Sequence, residues 1–435
     1  MRTTMTAALP YASLGPAELA AELASLQSRY AELVAKGLSL DITRGVPAAA
    51  QLDLSADLLT LPAGEYRDAD GVDCRNYGGV LGLRELREIF AELLEVPVAN
   101  LIAGNNSSLE LMHGLIVESL LHTPVDGAAP WASDPKRKFL CPAPGYDRHF
   151  AVTQDLGFEL VPVRMLADGP DVDQVAELIA ADPSVKGMWL VPTYSNPTGT
   201  VVAEQTIRRL LALPSAAPDF RLVLDNAYAL HPIVGDSPTG RPFLAWAEEA
   251  GHPNRPLVFA STSKITLAGA GVSFFAASKA NLDWHLAHAG KRSIGPDKVN
   301  QLRHVLFFRD AAGVRAHMRR HRALLAPKFA LVLKILEDRL GAAKVASWTE
   351  PQGGYFVSLD VLPGTAKEVV RLAKEAGVAL TPAGATFPYG SDPEDSNIRI
   401  APTFPTEPVL ADAIEATSTC VLLAAAKKLA ERDAG

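Results

Sequence analysis

Cysteine is scarce in this chain of 435 residues, which holds three, at Cys74, Cys141 and Cys420. Their number is odd, their positions are far apart, and no CxxC or Cys/His cluster is present. The sequence therefore supports neither a disulfide framework nor a zinc site. We expect reduced thiols, no metal centre and a cytoplasmic location.

The sequence shows no pattern of a leader or a membrane span, and it has no excess of positive charge. The first 20 residues contain no sustained apolar stretch, so we expect no signal peptide. No apolar run approaches the roughly 18 residues of a transmembrane helix, so we also expect no membrane span. The net charge of −8 argues against nucleic acid or an anionic membrane as a partner. No GxGxxG follows an early strand, which makes a nicotinamide dehydrogenase remote.

What is present is enough apolar material for a large core, with 48% hydrophobic and 21% charged residues. A helix that begins near Pro16 and ends near Gly37 is predicted, because apolar residues recur there at steps of three or four, at Leu19, Leu23, Leu26, Tyr30 and Leu33. An irregular segment follows over residues 41–79. A second amphipathic helix is predicted over 83–94.

Between residues 100 and 308, short apolar runs alternate with amphipathic stretches. The runs are Lys138–Cys141, Phe158–Val163, Gly187–Val191, Arg221–Leu224, Leu257–Ala260 and Val272–Ala276. Continuous apolar runs separated by helices are typical of buried parallel strands. Such sheets bind ligands beyond the carboxyl ends of their strands, so the residues after Val191, Leu224 and Ala260 should share one crevice.

The last third of the chain mixes helices and strands. We predict helices over 311–340, 366–376 and 408–432, and strands over 354–359 and 397–401. The predicted fold is α/β, with a large cofactor-binding domain of mostly parallel sheet flanked by helices over residues 46–310. A smaller α+β domain over 311–435 is joined by the N-terminal segment 1–45. The basic cluster in 311–340 is more typical of a solvated helix face than of a nucleic-acid site.

Three of the predicted strand ends carry the chemistry. They are Pro192-Thr-Tyr-Ser-Asn196-Pro-Thr-Gly199, Asp225-Asn-Ala-Tyr228 and Ser261-Thr-Ser-Lys264. A lysine amine in a partly dry pocket attacks aldehydes. A buried carboxylate such as Asp225 would keep a pyridine nitrogen protonated.

Each of these features has an ordinary explanation when taken alone. Most lysines are solvated, Asn-Pro-Thr-Gly is a good turn, and Asp225 could cap a helix. Ser-x-Ser-Lys is common by chance. The order of the motifs and the placement of each after a buried strand favour one functional site.

The chain resembles fold type I pyridoxal-phosphate aminotransferases of the aspartate aminotransferase group, and within it a divergent bacterial subgroup. The resemblance runs from about Asp41 to Phe404 and rests on Asn196-Pro-Thr-Gly, Asp225-x-Ala-Tyr228, Ser261-x-Ser-Lys264 and the late Arg399. It implies pyridoxal 5′-phosphate as the cofactor. It also implies that Lys264 forms the Schiff base, Asp225 binds the pyridine nitrogen, and Tyr228 and Asn196 face the ring oxygen.

The resemblance implies further binding residues. Tyr146 would stack on the ring, and the phosphate-side positions would be Asn106, Ser107, Ser261 and Ser263. Gly45, Asn196 and Arg399 would contact the substrate, with Arg399 gripping its α-carboxylate. Tyr77 would reach the phosphate in a neighbouring subunit, which implies a homodimer with shared sites. Alternatively, Tyr77 could pack within its own subunit against the helix over 83–94.

The chain departs from the family pattern at Gly271, where an arginine usually binds the phosphate. Lys298 is a candidate to replace its charge. A substrate side-chain carboxylate would need another cation, and Arg44, Arg292 and Lys298 are all open.

The function that we expect is ping-pong transfer of an amino group, from aspartate or glutamate, to a 2-oxo acid such as 2-oxoglutarate. Another pyridoxal-phosphate reaction on the same fold, such as β-elimination or decarboxylation, is the first alternative. A transcription regulator on this fold is the second, but only about forty residues precede Asp41. These are too few for a winged-helix domain.

Overall fold

The computed structural model describes residues 10–434. Residues 1–9, which belong to the stretch considered for a leader and to the segment predicted to join the small domain, lie outside the described residues. The helices of the described part are α1 (Pro16–Ala35), α2 (Ala49–Asp53), α3 (Arg84–Leu94), α4 (Ser108–Leu121), α5 (Asp147–Asp155), α6 (Val172–Ala180), α7 (Glu204–Ala212), α8 (Phe243–Glu249), α9 (Lys279–Ala289), α10 (Lys298–Phe308), α11 (Ala311–Leu340), α12 (Ala366–Glu375) and α13 (Glu407–Ala434). Its strands are β1 (Leu40–Asp41), β2 (Leu101–Ala103), β3 (Lys138–Ala143), β4 (Glu159–Leu166), β5 (Gly169–Pro170), β6 (Val185–Leu190), β7 (Arg221–Asp225), β8 (Pro256–Ser261), β9 (Ser273–Ala276), β10 (Ala346–Trp348), β11 (Val357–Val361), β12 (Val378–Ala379) and β13 (Asn397–Ile400).

Eight strands form the central sheet, in the order β2-β9-β8-β7-β6-β3-β4-β5. Its middle strands β4, β3, β6, β7 and β8 run parallel. Helices pack on it, which confirms the predicted fold class. The prediction of a parallel strand at Val272–Ala276 is wrong, because β9 runs antiparallel to both β8 and β2. The turn over residues 262–272 that joins β8 to β9 contains no crossover helix, and so short a connection returns the chain antiparallel.

The two faces of the sheet are both covered. Leu222 and Leu224 of β7 point into one apolar cluster, together with residues of α3, α6, α7 and α8. Val223, between them, points into the opposite cluster with residues of α4, α5 and α9. Since neither face meets water, the inner positions Leu222–Leu224 are all apolar, which explains the continuous runs in the sequence.

The direction in which the chain crosses the sheet reverses between β3 and β6. From β3 the chain passes through α5 to β4 on one side, whereas β6, β7 and β8 follow each other on the other side. A crevice opens beyond the strand ends at such a reversal, and ligands bind there. The loops after β3, β6, β7 and β8 border this crevice.

A second core unites the two ends of the chain. Leu26 of α1 packs in one cluster with Val332 of α11, Val369 of α12 and Ile414 of α13. The pair β1–β12 joins Leu40 to Val378, and β10, β11 and β13 form an antiparallel sheet. The N-terminal helix therefore belongs with the C-terminal elements, while the boundaries at 45/46 and 310/311 stay a prediction.

The helix α13 is more apolar than expected from the sequence pattern. Among the described residues, this helix alone is long and apolar enough to cross a membrane, with a mean hydropathy of 1.6 in a window of Glu407–Arg432. The expectation that no apolar stretch approaches the length of a membrane span is therefore wrong. Of that window, 78% is buried inside the protein, where α13 packs against α1, α11 and α12. Burial in the core accounts for its composition.

The second core gives a stability prediction. Leu26 is fully buried, so Leu26→Ala should leave a cavity between the two ends of the chain and cost about 2–5 kcal/mol. Leu121→Ala is the matched control, because Leu121 is 65% exposed at the end of α4. We expect calorimetry to report a clearly lowered Tm for Leu26→Ala alone. Equal losses in the two variants would contradict the shared core.

Candidate active site

The three strand ends that carry the chemistry meet at the crevice. Asp225 is the last residue of β7 and Ser261 the last of β8, and Asp225 lies in register with Phe259. The Nζ of Lys264 lies 5.1 Å from the centroid of the Tyr228 ring. The predicted convergence of the residues after the strands is thereby confirmed, because parallel neighbours end at the same edge of the sheet.

Lys264 lies in the turn between β8 and β9, and its backbone is held from two directions. Its carbonyl accepts hydrogen bonds from His231 Nε2 at 3.1 Å and from the Tyr355 hydroxyl at 3.3 Å.

Burial disfavours the ammonium form and lowers the pKa of Lys264, while the negative charge of Asp225 acts in the opposite direction. Burial also lowers the pKa of His231 to about 4, so this ring is neutral near pH 7. The Lys264 amine is thus favoured in its nucleophilic form.

Asp225 is 5% exposed and has two unlike oxygens. Its Oδ2 lies 2.9 Å from His149 Nε2, whose ring stacks on Trp189 with centroids 4.4 Å apart. Its Oδ1 is buried and has no hydrogen-bond partner among the described residues. A buried carboxylate oxygen without a donor is costly, so this atom calls for a donor from a bound molecule.

His149 is a site residue that the sequence analysis missed. It lies three residues after Tyr146, so the two rings lie near each other on the first turn of α5, with centroids 4.8 Å apart. That helical spacing from a candidate stacking residue was the available signal.

The two candidate phenols remain protonated near neutral pH. Burial, followed by the charges of Asp225 and Asp147, raises the pKa of Tyr146 to about 12. Burial also raises the pKa of Tyr228 well above its usual value. Both hydroxyls are therefore available as hydrogen-bond donors to a ligand.

The predicted phosphate-side residues come from two loops that touch. Ser263 Oγ donates to the Asn106 carbonyl at 3.2 Å, and Asn106 Nδ2 donates to the Gly269 carbonyl at 3.4 Å. Ser107 caps α4 by accepting from the Glu110 amide at 3.1 Å. The amino end of α4 therefore opens beside Ser263, where backbone N–H groups favour an anion.

Gly271 lies against the same loops. A side chain there would bring its Cβ within 3.0 Å of the Ser263 amide and of Thr262 Oγ1. A side chain at this position would therefore crowd the Ser263 turn, which a glycine avoids. Asn300 Nδ2 of α10 donates to the carbonyls of Ala270 and Gly271 at 3.0 Å, which fixes this segment.

Arg399 lies on β13 and reaches the crevice from the C-terminal part of the chain. Its Nη1 donates to Asp147 Oδ1 at 3.0 Å and to Asn196 Oδ1 at 3.4 Å. Its guanidinium carbon lies 5.1 Å from the centroid of the Phe356 ring. Gly45 adjoins the same ring, since a Cβ at this position would lie 2.2 Å from Phe356 Cζ. Asn196, Arg399 and Gly45 are thus neighbours, and their role in binding the substrate stays a prediction.

The three candidate cations have partners elsewhere. Arg44 pairs with Asp41 at 3.5 Å, and Arg292 lies 4.0 Å from Glu118. Lys298 is buried, and its Nζ donates to the Tyr77 carbonyl at 3.3 Å. In the described part of the chain, none of the three forms a hydrogen bond or ion pair with Lys264, Asp225 or Arg399.

Tyr77 does not pack within its own chain. Its side chain is 82% exposed, so the alternative that Tyr77 packs against α3 is wrong. Its carbonyl is held by Lys298, and the neighbouring Gly78 and Gly79 have positive φ values of 98° and 72°. The backbone is therefore fixed while the phenol points away from the subunit.

These residues fit pyridoxal phosphate. The unbonded Oδ1 of Asp225 suits the N–H of a protonated pyridine, and the Lys264 amine suits its aldehyde. The loops around Asn106 and Ser263 suit the phosphate, since they offer hydroxyls and the amino end of α4. Within the described residues there is no group of His, Cys, Asp or Glu side chains suited to a metal ion.

Comparison with known proteins agrees with this fit. Residues 14–433 match the family described as aspartate amino-transferase. A protein of Mycolicibacterium smegmatis named as an aminotransferase is 62% identical over 97% of this chain and 99% of its own length. The aspartate aminotransferase of Corynebacterium glutamicum is 52% identical over 93% of this chain and 94% of its own. A crystal structure of an aspartate transaminase from Corynebacterium glutamicum superposes with a TM-score of 0.95, at 50% identity, over 97% and 99% of the two chains.

The fold and the site therefore define a pyridoxal-phosphate enzyme of fold type I. The chain belongs to the aspartate aminotransferase family, and it is an aminotransferase whose cofactor is pyridoxal phosphate.

The depressed pKa of Lys264 can be tested in the cofactor-free protein. Because burial disfavours the ammonium, Lys264 should lose its proton at lower pH than the lysine of an unstructured peptide, whose pKa is about 10.4. Trace acetylation at a series of alkaline pH values, read by peptide mass spectrometry, gives the midpoint of the Lys264 titration. A midpoint at or above that of the peptide lysine would show that Asp225 outweighs desolvation.

Proposed function

We propose that this chain transfers the amino group of an acidic amino acid, aspartate or glutamate, to a 2-oxo acid such as 2-oxoglutarate in a ping-pong cycle. The similarity to relatives named for aspartate supports the choice of substrate class. An acidic donor and its acceptor would occupy the same pocket in turn.

One observation carries the proposal. A lysine with a lowered pKa, a buried carboxylate with one unbonded oxygen and an arginine with unbonded donors all face a single crevice. The lysine and the carboxylate are suited to the cofactor, and the arginine is suited to an amino acid. Asp225 Oδ1 and Arg399 Nε have no hydrogen-bond partner among the described residues, so each is available to a ligand.

Each residue then has a role that its surroundings support. When bound, pyridoxal phosphate supplies an aldehyde carbon for the amino group and a ring that accepts the electrons left at the substrate Cα. Asp225 Oδ1 would hold the proton at the ring nitrogen, and His149 keeps this carboxylate in place at Oδ2. Lys264 Nζ would take the proton from the substrate Cα and deliver it to the carbon that came from the cofactor aldehyde, as an acid and base worth about 10²- to 10⁴-fold in rate.

The remaining residues bind and orient. Tyr146 would cover the cofactor ring, and Tyr228 and Asn196 would face the ring oxygen. Arg399 binds the α-carboxylate, and this contact favours transamination over decarboxylation because it keeps the carboxylate anchored while the Cα proton leaves. The phosphate would be held at Asn106, Ser107, Ser261 and Ser263.

The test is a pair of half-reactions with the purified holoenzyme. L-Aspartate should abolish the visible absorbance of the aldehyde form, and 2-oxoglutarate should restore it. Lys264→Ala is the control, since it should lack both the lysine-linked absorbance and nearly all turnover. Release of ammonia or carbon dioxide without recovery by 2-oxoglutarate would instead identify a different pyridoxal-phosphate reaction.

We further propose that the active unit is a homodimer with shared sites. The exposed Tyr77 supports this arrangement, because a large side chain held on a fixed backbone is suited to a neighbouring subunit. Other large apolar side chains close in sequence to Tyr77 or to Lys298 are also exposed. They are Leu59 at 71%, Val72 at 50% and Ile294 at 62%. Such residues favour a covered surface.

Mixing two inactive variants tests the shared sites. Tyr77→Phe and Lys264→Ala place both lesions in one site of a mixed dimer and leave the other site native, so activity should return after subunit exchange. Tyr77→Phe alone must first prove severely impaired. If no activity returns although mixed dimers form, Tyr77 acts only within its own chain. A monomeric active species would reject the proposal directly.

A further inference from the structure

Arg399 is held at one edge of its guanidinium only. Asp147 Oδ1 and Asn196 Oδ1 both accept from Nη1, at 3.0 and 3.4 Å. The side chain of Arg399 is 9% exposed and that of Asp147 is 35% exposed. The ring of Phe356 lies beside the guanidinium carbon at 5.1 Å and offers no acceptor in its plane.

The opposite edge has no partner. Nε is buried and forms no hydrogen bond among the described residues, and within the same part of the chain no acceptor is found for Nη2. A guanidinium presents two parallel donors along its Nε–Nη2 edge, and these match the two oxygens of a carboxylate. The free edge is therefore the one suited to a bidentate ligand.

We propose that Asp147 is a positioning residue for substrate binding. By holding Nη1, it turns the Nε–Nη2 edge of Arg399 toward the α-carboxylate of the amino acid. This inference rests on the proposed function, since it presumes that Arg399 binds that carboxylate. Asp147 itself does not touch the substrate.

The location of Asp147 makes it suited to this role. It is the first residue of α5, directly after Tyr146 and two residues before His149. One helical turn thus carries the candidate ring-stacking residue, the partner of Arg399 and the partner of Asp225. The Gly145 amide just before this turn donates to the Thr386 carbonyl at 2.7 Å, which ties it to the C-terminal part of the chain. The turn therefore sets the cofactor site and the substrate arginine in one geometry.

A carboxylate beside Arg399 could have the opposite effect. If Asp147 merely competed with the substrate for the positive charge, removing it would strengthen the binding of carboxylates. A positioning role predicts weaker binding instead, so the two explanations differ in sign. The free Nε–Nη2 edge favours positioning, because the substrate does not need the donor that Asp147 occupies.

The test compares Asp147→Ala with Asp147→Asn in the holoenzyme. The probe is succinate, a dicarboxylate without an amino group, whose Kd is measured by its effect on the cofactor absorbance. We expect Asp147→Ala to raise this Kd and the KM for L-aspartate about tenfold, equal to about 1.4 kcal/mol, with kcat changed less than about threefold. Asp147→Asn keeps an oxygen that accepts from Nη1, so its Kd should rise by no more than about threefold.

Asp173→Ala is the matched control. Asp173 pairs with Arg209 at 2.5 Å on the surface of α6 and is 82% exposed, so its loss removes an Arg–Asp pair outside the crevice. A double-mutant cycle with Arg399→Ala adds a second measurement, because Asp147→Ala should have no further effect once the arginine is gone. Should Asp147→Ala fail to fold, Asp147→Ser takes its place in the cycle.

An unchanged or lowered Kd in Asp147→Ala would overturn the inference, as would an equal effect of Asp173→Ala. Full additivity in the cycle would overturn it as well. A wild-type enzyme that exchanges no amino group and binds no succinate would instead refute the proposed function itself. A normal wild type with unaffected Asp147 variants refutes only the positioning role.

Discussion

A carboxylate buried at the end of a strand, with one oxygen bonded and the other free, is the constraint on which the active site depends. Removing an anion from water is costly unless donors replace the lost hydration. His149 supplies one donor to Asp225, and stacking on Trp189 holds this ring in place. The other oxygen is left for the cofactor. Part of the free-energy cost of burying the Asp225 carboxylate is therefore offset only when the cofactor is bound. Binding of the cofactor should therefore stabilise the fold as well as enable the reaction.

Three buried histidines hold the turn that carries Lys264. His231 bonds to the Lys264 carbonyl, His317 to the Ile265 carbonyl at 2.7 Å, and His304 to Thr262 and Thr266. Burial lowers the pKa of each of these rings, so they act as neutral donors and acceptors. Neutral partners fix the backbone without placing further positive charge near the lysine, whose own pKa must stay low for it to act as a nucleophile.

Much of the fold and of the site could be predicted because both follow from local patterns. The apolar runs identified the parallel strands, since a strand covered on both faces is apolar at its inner positions. Asn196, Asp225 and Lys264 could be placed together because each follows such a run. The same reasoning failed for β9, because an apolar run indicates burial but not direction. It also failed for α13, where burial among three helices allows a core helix to be as apolar as a membrane span.

By itself, the sequence determined the fold class, the chemistry of the strand ends and the family. These depend on residues close together in the chain and on the rule that parallel neighbours end at one edge of a sheet. Only the tertiary structure decided which side chains complete the site. Asp147 and Arg399 are 252 residues apart, and His149 and Asp225 are 76 apart. The packing of helices and sheets brings such partners together. A hydrogen bond depends on a distance and an angle in space, and residues far apart in the sequence acquire these only in the folded chain.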